Sequence, residues 1–320
     1  MSARLSPIVR AVLVLMVALG LLLPLVVTSP AAAGAATRSC SSSTPVASRP
    51  TVRRGDTGSC VKVLQNLLLA KGYSIGASSA TGTFGSGTDF AVRRYQSAYR
   101  ALQVDGIVGR ATWSSLVNGG LSRYSISSGP NTTSRVVLSF DDCPKSLSAF
   151  KATVVGAEKL GVALVMFPTG NCLGTGRFDV GYARAHGHYV FNHSVSHPHL
   201  TDLGYSSAYA QLGSPGVVTN YGRPPYGAYN TLTVRNAYAK RAMRVWTWNF
   251  DSNDWQGRTQ SQVVSSVVAN ADPGDTVLMH MGWNAFNTTA VSQMKAGLAK
   301  RGVSVCRNLG PTSQYPTFRC

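Results

Sequence analysis

The chain has 320 residues, 44% of them hydrophobic, with 30 lysines and arginines against 12 acids. That length gives room for two packed domains, and the apolar content excludes a disordered protein. The formal charge of +18 marks a surface that seeks polyanions, but the basic residues are scattered and no nucleic-acid motif is found, so nucleic acid is not the expected partner.

Residues 1–36 read as an export signal: Arg4 and Arg10 flank a short n-region, an apolar run follows from Ala11 to Val27, and Ala31 to Ala36 offer cleavage sites. A retained anchor is the alternative, since Ala11 to Thr28 is just long enough to span a bilayer; Pro24 and the alanine-rich exit favour cleavage. No later stretch has the length to cross a membrane, so no stable span is expected after cleavage. Loss of the two arginines lowers the charge from +18 to +16. For an exported protein the fitting polyanion is an anionic cell-wall polymer; plain solubility charge is the other reading.

Residues 37–50, rich in Ser, Thr and Pro, are expected to form a flexible spacer. Periodicity then begins. Cys60, Val61, Leu64, Leu67 and Leu68 share one helical face and Gly72 ends that helix. Phe90, Ala91, Tyr95, Ala98 and Leu102 give a second helix its stripe, and a third begins near Thr112 with Trp113 and Leu116. Two loops with one spelling, Gly82-Thr-Phe-Gly85-Ser-Gly-Thr88 and Gly106-Ile-Val-Gly109-Arg-Ala-Thr112, lie 24 positions apart. Their glycines allow tight turns, and their threonines are expected to bond to the free amides of the next helix. The result is a small three-helix domain, residues 51–118, near the lower limit for independent stability. The run Arg54-Gly-Asp-Thr-Gly58, Val61-x-x-Leu64-Gln65, Gly82-x-Phe-Gly85, Tyr95-Gln96 and Asp105-Gly-Ile-Val-Gly109-x-x-Thr112-Trp113 resembles the helical peptidoglycan-binding domains of exported wall enzymes. The resemblance implies docking to the bacterial wall without chemistry.

Residues 119–134, rich in Gly, Ser and Thr, form the expected linker. From residue 135 to 320 apolar strands alternate with helical stretches. Strands are predicted at 136–140, 162–167, 187–191, 243–250, 276–280 and 303–306, and helices at 146–160, 229–242, 260–271 and 289–300. Such alternation predicts an α/β domain with a parallel sheet, and a barrel of this kind carries its chemistry at the C-terminal ends of its strands. The polar clusters lie at those ends. Six cysteines in an exported chain predict disulfides, and nearness in sequence together with this strand order favours Cys40 with Cys60, Cys143 with Cys172, and Cys306 with Cys320.

His193 and His197, four residues apart, can aim both imidazoles at one point, which suits a metal ion. The acidic pair Asp141-Asp142 at the end of the first strand supplies the third ligand of a two-His-one-carboxylate site with one position open. Ser139-Phe-Asp-Asp142, His193-Ser-Val-Ser-His197-Pro198, Arg223-Pro-Pro-Tyr-Gly227, Asp251-Ser-Asn-Asp-Trp255 and Leu278-Met-His280 resemble, in order, the five motifs of the polysaccharide deacetylases, carbohydrate esterase family four. The resemblance implies a distorted (β/α) barrel and metal-dependent removal of acetyl groups from sugars. It makes Asp142, His193 and His197 the ligands of a divalent metal, most simply zinc. Asp141 becomes the general base, aimed by a bidentate bond from Arg223, and the Tyr226 amide an oxyanion donor. His280 is the acid oriented by Asp254, and Trp255 and Leu278 wall the acetyl methyl. Where that family has glycine after the paired aspartates, this chain has Cys143.

These readings make the chain a hydrolase of amide bonds, a secreted, wall-associated N-deacetylase of peptidoglycan. Chitin oligosaccharides or acetyl-xylan are alternative substrates, and a wall-binding protein with an inactive deacetylase-like domain is the alternative of another class.

Overall fold

The computed structural model describes residues 39–320, so the expected signal peptide lies outside the described residues. Helices α1 (Ser59–Ala70), α2 (Ser86–Ser97) and α3 (Arg110–Asn118) build the first half. Their apolar faces close on one core holding Val61, Leu64, Leu68, Tyr95 and Trp113, but the stripe expected of the second helix holds only in part: α2 ends before Ala98 and Leu102, and Phe90 packs against Tyr205 and Lys240 instead.

The twin loops work differently from the expectation. Thr88 and Thr112 do not cap; the N-caps are Gly85 and Gly109, without side-chain cap bonds. Gln65 instead donates to Thr88 Oγ1 at 3.0 Å and accepts from the Gly82 N–H at 2.8 Å. Gln96 repeats the clamp on Thr112 Oγ1 at 3.4 Å and the Gly106 N–H at 2.9 Å. Both glutamines are buried, and a buried amide must find partners, which here are the loop that follows its own helix.

Residues 39–50 are not the flexible spacer expected. Cys40 is bonded to Cys60, the buried Arg49 lies 4.9 Å over the Trp113 ring, and the Trp113 indole donates to the Pro50 carbonyl at 2.8 Å. A buried indole N–H needs an acceptor, and this segment supplies it.

The second half alternates β1 (Val137–Asp142), α4 (Leu147–Lys159), β2 (Val165–Pro168), α5 (Gly170–Gly174), α6 (Val180–Ala185), β3 (Tyr189–Val190), α7 (Tyr205–Gln211), β4 (Tyr221–Gly222), α8 (Leu232–Lys240), β5 (Arg244–Val245), β6 (Phe250–Asp251), α9 (Gln260–Asn270), β7 (Thr276–His280) and α10 (Thr288–Lys300). Every ladder is parallel. The larger sheet runs β3-β2-β1-β7-β6 and the smaller pairs β4 with β5; a parallel bridge between Asn192 and Gly222 joins them. No ladder connects β5 to β6 among the described residues, so the strands curl into a barrel left open on one side, the distorted barrel expected. The strand predicted at 243–250 is split into β5 and β6. Residues 303–306 contribute only an isolated bridge, Val136 to Val305.

Period-two alternation sorts the long strands. Leu138, Phe140, Val277 and Met279 pack under the helices, while Val137, Val165, Phe167, Phe191 and Trp246 fill the other side of the sheet. The linker is no free tether. Tyr124 donates its N–H to the Ala98 carbonyl at 2.9 Å, and Thr247 donates to Ile126 O at 2.9 Å. Gly129 has φ 57° and lies so close to Trp246 that a Cβ there would sit 2.3 Å from the ring. The two halves also meet directly: Lys240 pairs with Asp89 at 3.5 Å, and Arg244 Nη2 faces the carbonyls of Gln96, Tyr99 and Leu102 as their shared donor. The three expected disulfides are all present. Among the described residues no helix is long and apolar enough to cross a membrane.

Candidate active site

Three strands aim the chemistry. Asp141 on β1 is in register with His280 on β7, and Asp251 on β6 with Leu278, so one end of the sheet collects groups far apart in sequence. Neighbours on a strand normally point to opposite faces. Asp142 escapes that rule because its φ is 69°, a left-handed conformation that aspartate tolerates better than most side chains. Both carboxylates therefore reach one imidazole: His193 Nε2 is 3.6 Å from Asp141 Oδ2 and 3.5 Å from Asp142 Oδ1. His197 Nε2 is also 3.5 Å from Asp142 Oδ1. Of the six non-glycine residues with positive φ among those described, Asp142, Ser194, His197, Tyr226 and Asn253 lie in or beside the site motifs. Backbone strain of that kind persists where the surroundings over-determine it.

Donor atoms of Asp142, His193 and His197 all lie within 4.8 Å of one another. Two ligands about 2.0–2.1 Å from a tetrahedral ion stand about 3.4 Å apart, close to the spacings found. His193 Nδ1 donates to the Arg223 carbonyl at 2.8 Å, which turns Nε2 toward Asp142, the orientation a metal ligand requires. The electrostatics agree. Burial pushes Asp142 up, but the hydrogen bond from His193 and the charges of His193, His197 and His280 outweigh it and bring it to about 2. Burial opposes charge on His193, yet Asp141 and Asp142 together raise it. Burial, helped by His193, lowers His197. Two carboxylates around one buried imidazole are a place for added positive charge, and the donor set fits a divalent cation.

Arg223 is fully buried and holds Asp141 differently from the bidentate bond expected. Nη1 donates to Asp141 Oδ1 at 2.7 Å, while Nε and Nη2 donate to the carbonyls of Trp246 and Thr247 at 3.2 and 2.8 Å. The fork is spent on backbone, which fixes the arginine while one arm aims the acid. Asp254, fully buried, grips His280 twice: Oδ1 accepts from Nδ1 and Oδ2 from the backbone N–H, both at 2.8 Å. Burial works against charge on His280, but that bond and the charges of Asp141, Asp254 and Asp142 raise it.

A cleft of about 440 Å³ opens over these groups, and Tyr226, Trp255 and Leu278 are among its lining residues. Trp248, Asp251 and Trp283 line it too. None of these three was assigned a role from sequence; Trp283 stands three residues after His280, close enough to a motif to have been noticed. His199, also unassigned, stacks on the Tyr226 ring at 3.8 Å. Cys143 is bonded to Cys172, so the residue that departs from glycine ties the end of β1 to α5.

Comparison with known proteins follows this layout. Residues 128–246 match the family described as "Polysaccharide deacetylase" and residues 57–116 the family described as "Putative peptidoglycan binding domain". A chitooligosaccharide deacetylase of Rhizobium leguminosarum bv. phaseoli is 30% identical over 155 residues, 45% of this chain and 67% of that protein. A bifunctional xylanase/xylan deacetylase of Cellvibrio japonicus is 29% identical over 183 residues, 55% of this chain and 27% of its own length. A peptidoglycan-N-acetylglucosamine deacetylase of Bacillus cereus is 28% identical over 169 residues, 48% of this chain and 58% of its own length. The chain thus spans less than two thirds of the latter two relatives.

Proposed function

We propose, from the premise that this chain belongs to the polysaccharide deacetylase family, that it is an exported, cell-wall-associated enzyme that removes N-acetyl groups from peptidoglycan amino sugars. In this reading residues 51–118 bind the wall and residues 135–320 carry the chemistry. The observation that supports it is the convergence of Asp142, His193 and His197 beside an Asp141 aimed by a buried arginine.

The products are acetate and a free amine. Asp142, His193 and His197 would hold a divalent cation, and two imidazoles with a carboxylate suit zinc. Such an ion, when bound, polarises the acetyl carbonyl and makes water a better nucleophile at neutral pH. Asp141 accepts the proton that the attacking water gives up, and Arg223 keeps its carboxylate in place. The backbone N–H of Tyr226 donates to the oxygen on which negative charge develops. His280, charged and aimed by Asp254, gives a proton from Nε2 to the departing amine. Trp255 and Leu278 receive the methyl group and keep bulk water off it.

Peptidoglycan is favoured over chitin and xylan by the helical half, whose family is described by that polymer. Acetate released by the purified chain from peptidoglycan, chitin oligosaccharide and acetyl-xylan, measured side by side, decides among them. Release from peptidoglycan well above the other two is expected, and a clear preference for acetyl-xylan would overturn the substrate assignment. No release from any of them would leave a wall-binding protein instead.

A further inference from the structure

A second cleft, of about 410 Å³, lies where the helical half meets the barrel, and it shares no lining residue with the catalytic one. Lys71 and Arg94 come to it from the helical half, Arg123 from the linker, and Arg235 and Arg244 from the barrel. These five cations are scattered in sequence, and only the fold gathers them. No carboxylate lines the cleft.

Like charges repel, so such a grouping without acids costs stability unless something else gains from it. The same interface can pair its cations where it needs to: Asp89 serves both Arg93, at 3.0 Å, and Lys240, at 3.5 Å. The cleft is left positive. Several of its cations are held ready. Arg94 lies 5.6 Å over the Tyr73 ring, and its guanidinium is lowered by burial and further by Arg235. Arg244 is fixed by its bonds to the end of α2, and its Nε, buried, has no partner among the described residues. Four of the five cations are arginines, whose planar forks match carboxylates.

We propose that this cleft is a second site for the polymer, one that grips the carboxylate-bearing peptide side chains of peptidoglycan while the catalytic cleft works on the neutral sugar. This rests on the substrate reading given above. The occupant is placed on the same polymer because both halves wall the cleft and one matches a peptidoglycan-binding family. Two grips on one strand raise the effective concentration of each for the other.

The test uses the full mature chain and the double variant R123E/R235E, whose two arginines are exposed, with a thermal melt to verify folding. Binding is measured to peptidoglycan freed of phosphate polymers, to the same glycan after an amidase has removed its peptides, and to a glycerol-phosphate polymer. Acetate release from a neutral N-acetylglucosamine oligomer is read separately. Native chain is expected to bind peptide-bearing glycan roughly tenfold more tightly than stripped glycan, and the variant to lose that advantage, with added salt having the same effect. Oligomer turnover is expected to be equal in both proteins. Equal binding by native and variant chains, indifference to peptide removal, or a cleft-dependent preference for the phosphate polymer would each overturn the proposal. Loss of oligomer turnover in both proteins would instead strike the deacetylase reading and leave the binding result standing.

Discussion

Asp141 and Asp142 are adjacent, and what separates the tasks proposed for them is one backbone angle and one arginine. The positive φ of Asp142 carries its carboxylate to the two histidines, while Arg223 Nη1 holds Asp141 beside them. Replacing Asp141 by Asn keeps the shape and removes the proton acceptor, so turnover is expected to fall about 10²–10⁴-fold while zinc content, read by elemental analysis, stays at the native level. His280 offers a finer test. Its pKa is raised through Asp254 among other acids, so D254N lowers it, and the alkaline limb of the turnover profile should move to lower pH. An unmoved limb would separate His280 from the titration that limits the rate.

His188, which lies in none of the five motifs, carries a third prediction at the residue scale. It is fully buried: Nδ1 accepts from the Leu164 N–H at 3.0 Å, and Nε2 donates to the Val154 carbonyl at 2.9 Å. A second ring proton would face the Leu164 N–H. Burial accordingly lowers the folded pKa to about 4. Between the ordinary imidazole value of about 6.5 and that folded value, the unfolded chain takes a proton that the folded chain refuses. Stability is therefore intact above about 6.5 and falls on acidification, by up to about 3 kcal/mol. Melting temperatures of native and H188Q protein between pH 7 and 4.5 should show the native chain falling more steeply, and parallel slopes would remove the assignment.

At the scale of elements, the long helices and strands were legible because they carry full periods of apolar residues: α4, α9, α10, β1 and β7 lie within a few residues of where the pattern puts them. The strands β3 to β6 have two residues each, too few to show any alternation, so β4 was missed and β5 and β6 were merged. The candidate site was legible as motifs, because its residues lie in short stretches of sequence. Its supports were not: the carbonyls that fix Arg223 and the aromatic ring of Trp248 come from the same irregular run after β5. The bond between Cys143 and Cys172, 29 residues apart, was foreseen because parallel neighbours bring their ends together. It belongs to the elements it joins, and the variant C143S/C172S should lose about 3–4 kcal/mol of stability, measured by urea unfolding, with turnover reduced because the end of β1 carries both aspartates.

For the whole molecule, composition gave the sign of the charge and the fold gave its distribution. Asp141, Asp142 and Asp251 line one cleft, while the other is lined by five cations and no acid. Segments that looked like tethers, one from its Ser, Thr and Pro and the other from its Gly, Ser and Thr content, are packed, because Trp113 and Trp246 draw backbone against their rings. The two halves meet through α2 and α8, so the proposed wall contact and the proposed chemistry share one frame. The most direct test is acetate release from an N-acetylglucosamine oligomer by the chain stripped of metal with a chelator, before and after one equivalent of zinc is restored. Activity should vanish on stripping and return with zinc in the native chain but not in H193A or H197A; undiminished release from the metal-free native chain would contradict the account.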